Sequence, residues 1–134
     1  MKKISKGSRL KYDESIIKNA EIKFNIVIKK EIVDFFKYNN GGYPTTNYIE
    51  VNDEKYEIKA FLSLDKTDDY YCLGESIEYF LSNTKGKIIP FAVDSSDNYF
   101  CVNNETGKVY YWSSNFNEYY FIVETLTDFI NCFC

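Results

Sequence analysis

The chain has 134 residues, enough for one domain that buries its core without disulfides or metal. It contains no histidine, which excludes serine–histidine and cysteine–histidine nucleophile pairs and removes the commonest metal ligand. Hydrophobic residues make up 45% and the net charge is −4, so wholesale disorder and general nucleic-acid binding are both disfavoured.

Charge is unevenly placed. Residues 1–37 carry ten basic and five acidic side chains, whereas residues 38–134 carry six basic and fifteen acidic. An acidic majority suits solubility or a basic protein partner. Aromatic content is high, with 13 Tyr, 11 Phe and one Trp. Tyrosine combines an apolar body with a polar tip, which serves sheets and interfaces equally.

Residues 1–12 read as a polar lead-in, followed by one domain over 13–134. The start has basic residues but no apolar run behind them, so it is not read as a secretory signal. No stretch has the length of a membrane span. Cys72, Cys101, Cys132 and Cys134 are then expected as reduced thiols in a cytoplasmic protein. Cys132 and Cys134 alone are too few for a zinc site. Neither metal nor cofactor is expected.

Asp13 suits a helix N-cap, and Ile16, Ile17, Ala20 and Phe24 fall on one helical face. A second helix is predicted from about Lys29 to Tyr38, with Ile32, Val33, Phe35 and Phe36 as its apolar side. Asn39, Asn40, Gly41 and Gly42 end it, because Asn and Gly tolerate left-handed backbone. Two strands follow, at 48–52 and 55–64, joined by a tight turn at Asn52-Asp53. In the second, Tyr56, Ile58, Ala60 and Leu62 alternate with Glu57 and Lys59. A helix is predicted over 74–83. A meander of strands at 88–93, 99–102 and 108–112 comes next, then a strand at 119–123. The last helix is opened by Thr125, with Asp128 in the capping-box position. The fold class is α+β, with a helical pair and a mainly antiparallel sheet of about six strands. One helix is inserted into the sheet and one closes the chain.

Two segments place acids beside paired tyrosines: Asp68, Asp69, Tyr70, Tyr71 and, further on, Glu118, Tyr119, Tyr120. Rings that bury and acids that steer suit contact with a basic partner. Two solvated loops over sheet-anchoring rings would share this composition. Asp94 and Asp97 crowd one turn. They lack the spacing and distal Glu of a calcium loop, so turn chemistry is the expectation.

The order Asn40-Gly41-Gly42, Pro90-Phe91-Ala92 with Asp94, then Val109 to Trp112 and Phe129 resembles the SUKH superfamily over residues 13–133. That group includes the fungal Smi/Knr cell-wall-assembly regulators and many bacterial immunity proteins. Asn40, Gly41, Gly42, Pro90, Phe91, Asp94, Val109, Trp112 and Phe129 carry the resemblance, and their roles are expected to be structural. The sequence departs from it at Ile28-Lys29, where Leu-Pro is frequent, and at Asn103, where Asp is usual. The resemblance implies a non-enzymatic immunity protein that neutralises a cognate toxin, such as a nuclease or another nucleic-acid-modifying enzyme. Steric and electrostatic occlusion is the implied mechanism. Asp68, Asp69, Tyr70, Tyr71, Asp94, Asp97, Glu118, Tyr119 and Tyr120 are the partner-binding expectation. No direct nucleic-acid or membrane contact is expected, and the chain should be a monomer or weak homodimer. The alternative is a regulatory protein-binding scaffold of the same fold. An enzyme using Asp94, Asp97 and Glu105, or RNA binding by the basic N-terminal helices, are the remaining readings.

Overall fold

The computed structural model describes residues 4–6, 14–39, 41–62 and 73–133. Helices α1 (Glu14–Phe24) and α2 (Lys30–Tyr38) form a pair in the N-terminal part of the chain. Strands β6 (Ile88–Val93), β7 (Tyr99–Asn103), β8 (Val109–Ser113) and β9 (Glu118–Val123) form an antiparallel meander, with the short β5 (Ala60–Phe61) beside β6. Helix α3 (Leu73–Thr84) enters between β5 and β6, and α4 (Leu126–Asn131) closes the chain. The α+β class and the helix placement follow the sequence reading.

The main sheet has five strands, in the order β5-β6-β7-β8-β9. The hairpin of β3 (Tyr48–Val51) and β4 (Glu54–Glu57) stays outside it as a separate two-stranded sheet. The strand expected at 55–64 therefore breaks. Ile58 N–H donates to Asn47 O, whereas Lys59 N–H donates to Val93 O, so the chain changes partners between two adjacent residues. Phe61, off the predicted apolar alternation, is buried because β5 lies within the core. The hairpin turn itself is as expected. Asn52 and Asp53 both have positive φ, at 51° and 66°, the geometry that matches strand twist.

A further pairing lies inside the stretch read as a lead-in. Strand β1 (Ser5–Lys6) pairs with β2 (Tyr43–Pro44), and the adjacent Ile4 is buried. Its N–H donates to the buried Asn39 Oδ1 at 2.7 Å. Asn39 thus ends α2 without left-handed backbone (φ −130°) and spends its side chain on the N-terminal segment. Gly41 and Gly42 supply the positive φ, at 73° and 80°, that turns the chain onto β5. Gly41 N–H reaches Leu62 O, and Phe61 N–H reaches Gly42 O, covering that sheet edge.

Neighbouring side chains on a strand face opposite ways. Phe100 meets Phe129 of α4, while Tyr99 meets Phe80 of α3, so helices cover both faces of the sheet. The core of the first face is aromatic: Phe35 contacts Phe61 and Phe91, and Phe91 contacts Phe129. Each such edge-on pair contributes about 0.5–1.5 kcal/mol beyond the area it buries. Strand β6, buried along its whole length, absorbs Pro90 at a register shift between Pro90 and Ala92, where a missing donor is tolerated. Helix α4 starts as predicted, with Asp128 N–H donating to Thr125 Oγ1 at 3.0 Å.

The two departures from the superfamily pattern acquire physical readings. Lys29 keeps the N–H that a proline would lack, and donates it to Asn104 Oδ1 at 2.9 Å. Asn104 Nδ2 donates in turn to Val27 O, so one buried side chain ties the α1–α2 link to the β7–β8 turn. Asn103 Oδ1 accepts from Glu105 N–H and Thr106 N–H, the acceptor role that an Asp would also fill.

Candidate functional site

Helix α3 shields only part of its face of the sheet. Phe80 packs with Ile88, Cys101 and Trp112, but β8 and β9 run out beyond the helix. There Tyr110 contacts Tyr119 and Phe121 across the two strands. Tyr119 stands opposite Trp112, and Tyr79 of α3 reaches the Trp112 ring at 6.0 Å. The result is a continuous aromatic surface in which Tyr79 is 50% exposed, Phe121 48% and Tyr119 37%. Phe116, 71% exposed, projects from the adjoining β8–β9 turn. Burial, with Cys101 and Tyr79 nearby, holds the Tyr119 hydroxyl well above the usual tyrosine range, so it remains a neutral donor.

The acidic rim lies at the end of the sheet where the β6–β7 and β8–β9 turns meet. Asn98 Oδ1 accepts from Ser114 N–H at 2.8 Å, which fastens the two turns together. Glu57 Oε1 accepts from Ser95 N–H and Oγ. Trp112 Nε1 donates to Asn117 Oδ1 at 2.9 Å.

The two acids of the first turn have different roles. Asp94 is 7% exposed, and both its oxygens are occupied. Oδ1 accepts from Ser96 N–H and Asn98 N–H, and Oδ2 from Asn98 Nδ2 and the Tyr111 hydroxyl at 2.5 Å. This carboxylate organises the turn and has no face left for a partner. Desolvation, with the bond to Asp94, keeps the Tyr111 hydroxyl protonated well beyond its ordinary range. Asp97 is exposed, and among the described residues nothing bonds its carboxylate.

Glu118, Tyr119 and Tyr120 do not form one loop cluster. They open strand β9, so Tyr119 faces the aromatic surface while Glu118 and Tyr120 face the other way. The Tyr120 hydroxyl donates to Glu118 Oε2 at 2.9 Å, which raises its pKa. Asp68, Asp69, Tyr70 and Tyr71, like Asn40, lie outside the described residues. Pro90, Phe91, Val109, Trp112 and Phe129 are all in the packed interior. The sequence reading missed Tyr79, Tyr110, Phe116 and Phe121. Tyr79 carried a signal, because it falls off the helical stripe of Ile77, Phe80 and Leu81.

Among the described residues, no three His, Cys, Asp or Glu side chains gather as metal ligands, and no helix is long and apolar enough to cross a membrane. Burial pushes the Cys101 thiol well up, away from reactivity, and Cys132 Sγ donates to Asp128 O at 3.4 Å. A cavity of about 180 Å³ lies between α1 and α3 beside the Lys23–Glu78 ion pair, at a helix–helix joint.

These features define a small α+β domain whose antiparallel sheet, helix-covered on both faces, leaves one aromatic flank open. The family model of the SMI1 / KNR4 family (SUKH-1) matches residues 11–132, and the chain belongs to that family. The family is related to toxin immunity. A crystal structure of a protein from Pseudomonas syringae pv. tomato shares the fold. It superposes with a TM-score of 0.53 at 20% identity, over 90% of this chain and 80% of that one. Among curated proteins, none matches the chain.

Proposed function

We propose that the chain is a non-catalytic immunity protein that binds a basic toxin and blocks it by occlusion. The observation that carries this reading is the open aromatic flank of α3, β8 and β9, set in a chain of this family with net charge −4. Burying Tyr79, Tyr119 and Phe121 would supply affinity, and Asp97 at the rim would steer approach. A nuclease or other nucleic-acid-modifying toxin fits as partner, since such enzymes concentrate positive charge where they hold phosphates. Asp68, Asp69, Tyr70 and Tyr71 belong to the same proposal as further acid and ring contacts, as do Glu118 and Tyr120, which the partner would reach around the edge strand β9. The chain acts in the cytoplasm as a monomer or weak homodimer, without cofactor or membrane contact.

The test is capture of the partner from the protein's own cells, followed by expression of that partner with and without this chain. Growth arrest relieved by the wild-type chain, but not by a Tyr79→Ser, Phe121→Ser double variant, is expected. Capture of signalling proteins that cause no arrest would move the assignment to a regulatory scaffold. Relief lost only when N-terminal lysines are replaced would overturn the assigned face.

A further inference from the structure

A cleft of about 450 Å³ opens between α3 and the tips of β7 and β8. That is within the range of small-ligand sites, about 300–1,000 Å³. Phe80, Tyr99 and Trp112 line it, together with Tyr79, Asp97 and the serines 76 and 114. The rings meet at angles: Tyr79 and Trp112 at 62°, Phe80 and Trp112 at 84°, Tyr99 and Trp112 at 48°. Phe80 and Trp112, nearly buried, form the floor of the cleft, and the half-exposed Tyr79 offers the ring face that a planar guest can reach.

The Asp97 carboxylate makes no hydrogen bond or ion pair among the described residues. Asp94, Ser95, Asn98, Ser114 and Asn117, from the same two turns, all bond within the chain. Asp97 alone among these acids and amides is left at the cleft with no partner among the described residues. Among the described residues no cationic side chain lines the cleft, so the carboxylate would repel a phosphate. An apolar guest would strip water from it without replacing the lost bonds.

We propose that this cleft receives the guanidinium of an arginine presented by the basic partner. The inference rests on the toxin-binding reading and names its contact. A guanidinium is planar, stacks on aromatic faces, is weakly hydrated and forks onto a carboxylate. A lysine ammonium carries the charge without the plane.

Trp112 is the only tryptophan in the chain and lies in the cleft, so its emission reports occupancy directly. The experiment titrates the full-length protein with acetyl-Gly-Arg-Gly-amide, with its citrulline and lysine counterparts, and with AMP. A saturable Trp112 response to the arginine peptide is expected, weakened about tenfold or more by citrulline, which keeps the shape and loses the charge. Asp97→Asn should weaken arginine binding about tenfold while preserving the turn, because Asn also tolerates the φ of 60° at this position. Tyr79→Leu should do the same by removing a π face from an exposed helix position. Equal responses to arginine and citrulline, indifference to Asp97→Asn, a saturable response to AMP, or no response at all would overturn the assignment. If the peptides fail while the captured partner still requires Phe121, the cleft proposal falls and the partner reading stands. Arginine binding with no basic partner captured would separate the two the other way.

Discussion

Replacing Asp94 by alanine should cost about 3 kcal/mol of stability. The side chain accepts four hydrogen bonds, from Ser96 N–H, Asn98 N–H, Asn98 Nδ2 and the Tyr111 hydroxyl. Bonds to a charged acceptor contribute about 1.5–3 kcal/mol each when the donor is left buried. Two considerations reduce the sum. Ser96 is exposed, and its amide regains water. The carboxylate itself is no longer desolvated, which offsets part of the loss. What remains is a half-buried tyrosine hydroxyl without its acceptor and a turn without its organising side chain. A loss of about 3 kcal/mol is large against the 5–15 kcal/mol of a typical domain. Urea unfolding followed by Trp112 emission would show it as a midpoint lowered by about 2 M, for a slope near 1.5 kcal/mol/M. Asp97→Asn, three residues away, should change stability by less than about 0.5 kcal/mol. A loss below about 0.5 kcal/mol in Asp94→Ala, or equal losses in the two variants, would refute the division of the turn into a structural and a free acid.

Asn104→Ala leaves Lys29 N–H and Val27 O without their partner and should cost about 2 kcal/mol, measured by the same unfolding assay. Gly86→Ala should destabilise by about 1–3 kcal/mol, because φ is +82° and a Cβ would meet Ile26 Cγ2 at 2.7 Å; an unchanged midpoint would contradict that contact. Tyr111 holds its proton more tightly folded than unfolded, through burial first and then Asp94. Its contribution is therefore complete below about pH 10, where the unfolded phenol still keeps its proton, and is lost as pH rises toward the folded value. Unfolding free energy measured at pH 8 and pH 11 should fall for the wild type, and fall less for Tyr111→Phe.

The parts of the fold legible in the sequence are those set by local periodicity. Ile88 to Trp112 reads as strands because β-prone runs alternate with turn residues, and Thr125 reads as a cap because Asp128 sits three residues on. The break at Ile58-Lys59 was not legible, since its cause is a change of hydrogen-bond partner from Asn47 to Val93, far along the chain. The β1–β2 pairing escaped for a similar reason: two residues carry no period, and Asn39 reads as a helix stop before it reads as a buried acceptor for Ile4. In the candidate site, composition pointed to Asp94 and Asp97 alike. The bonds from Ser96, Asn98 and, seventeen residues away, the Tyr111 hydroxyl show that Asp94 is the occupied one. Adjacency in sequence groups Glu118, Tyr119 and Tyr120, but a strand sends neighbours to opposite faces. Phe121, two residues from Tyr119, was the partner that the period of two would have chosen.

Calorimetric titration of the captured partner against three forms of the chain tests the central claim most directly. The forms are the wild type, the Tyr79→Ser, Phe121→Ser variant, and a Lys18→Ala, Lys30→Ala variant in the basic helices. Loss of two central aromatic contacts should weaken binding at least about a hundredfold, whereas exposed lysines away from the contact should change it by less than about threefold. Binding that survives the aromatic substitutions and collapses with the lysines would contradict the account, and would place the partner on the helical pair.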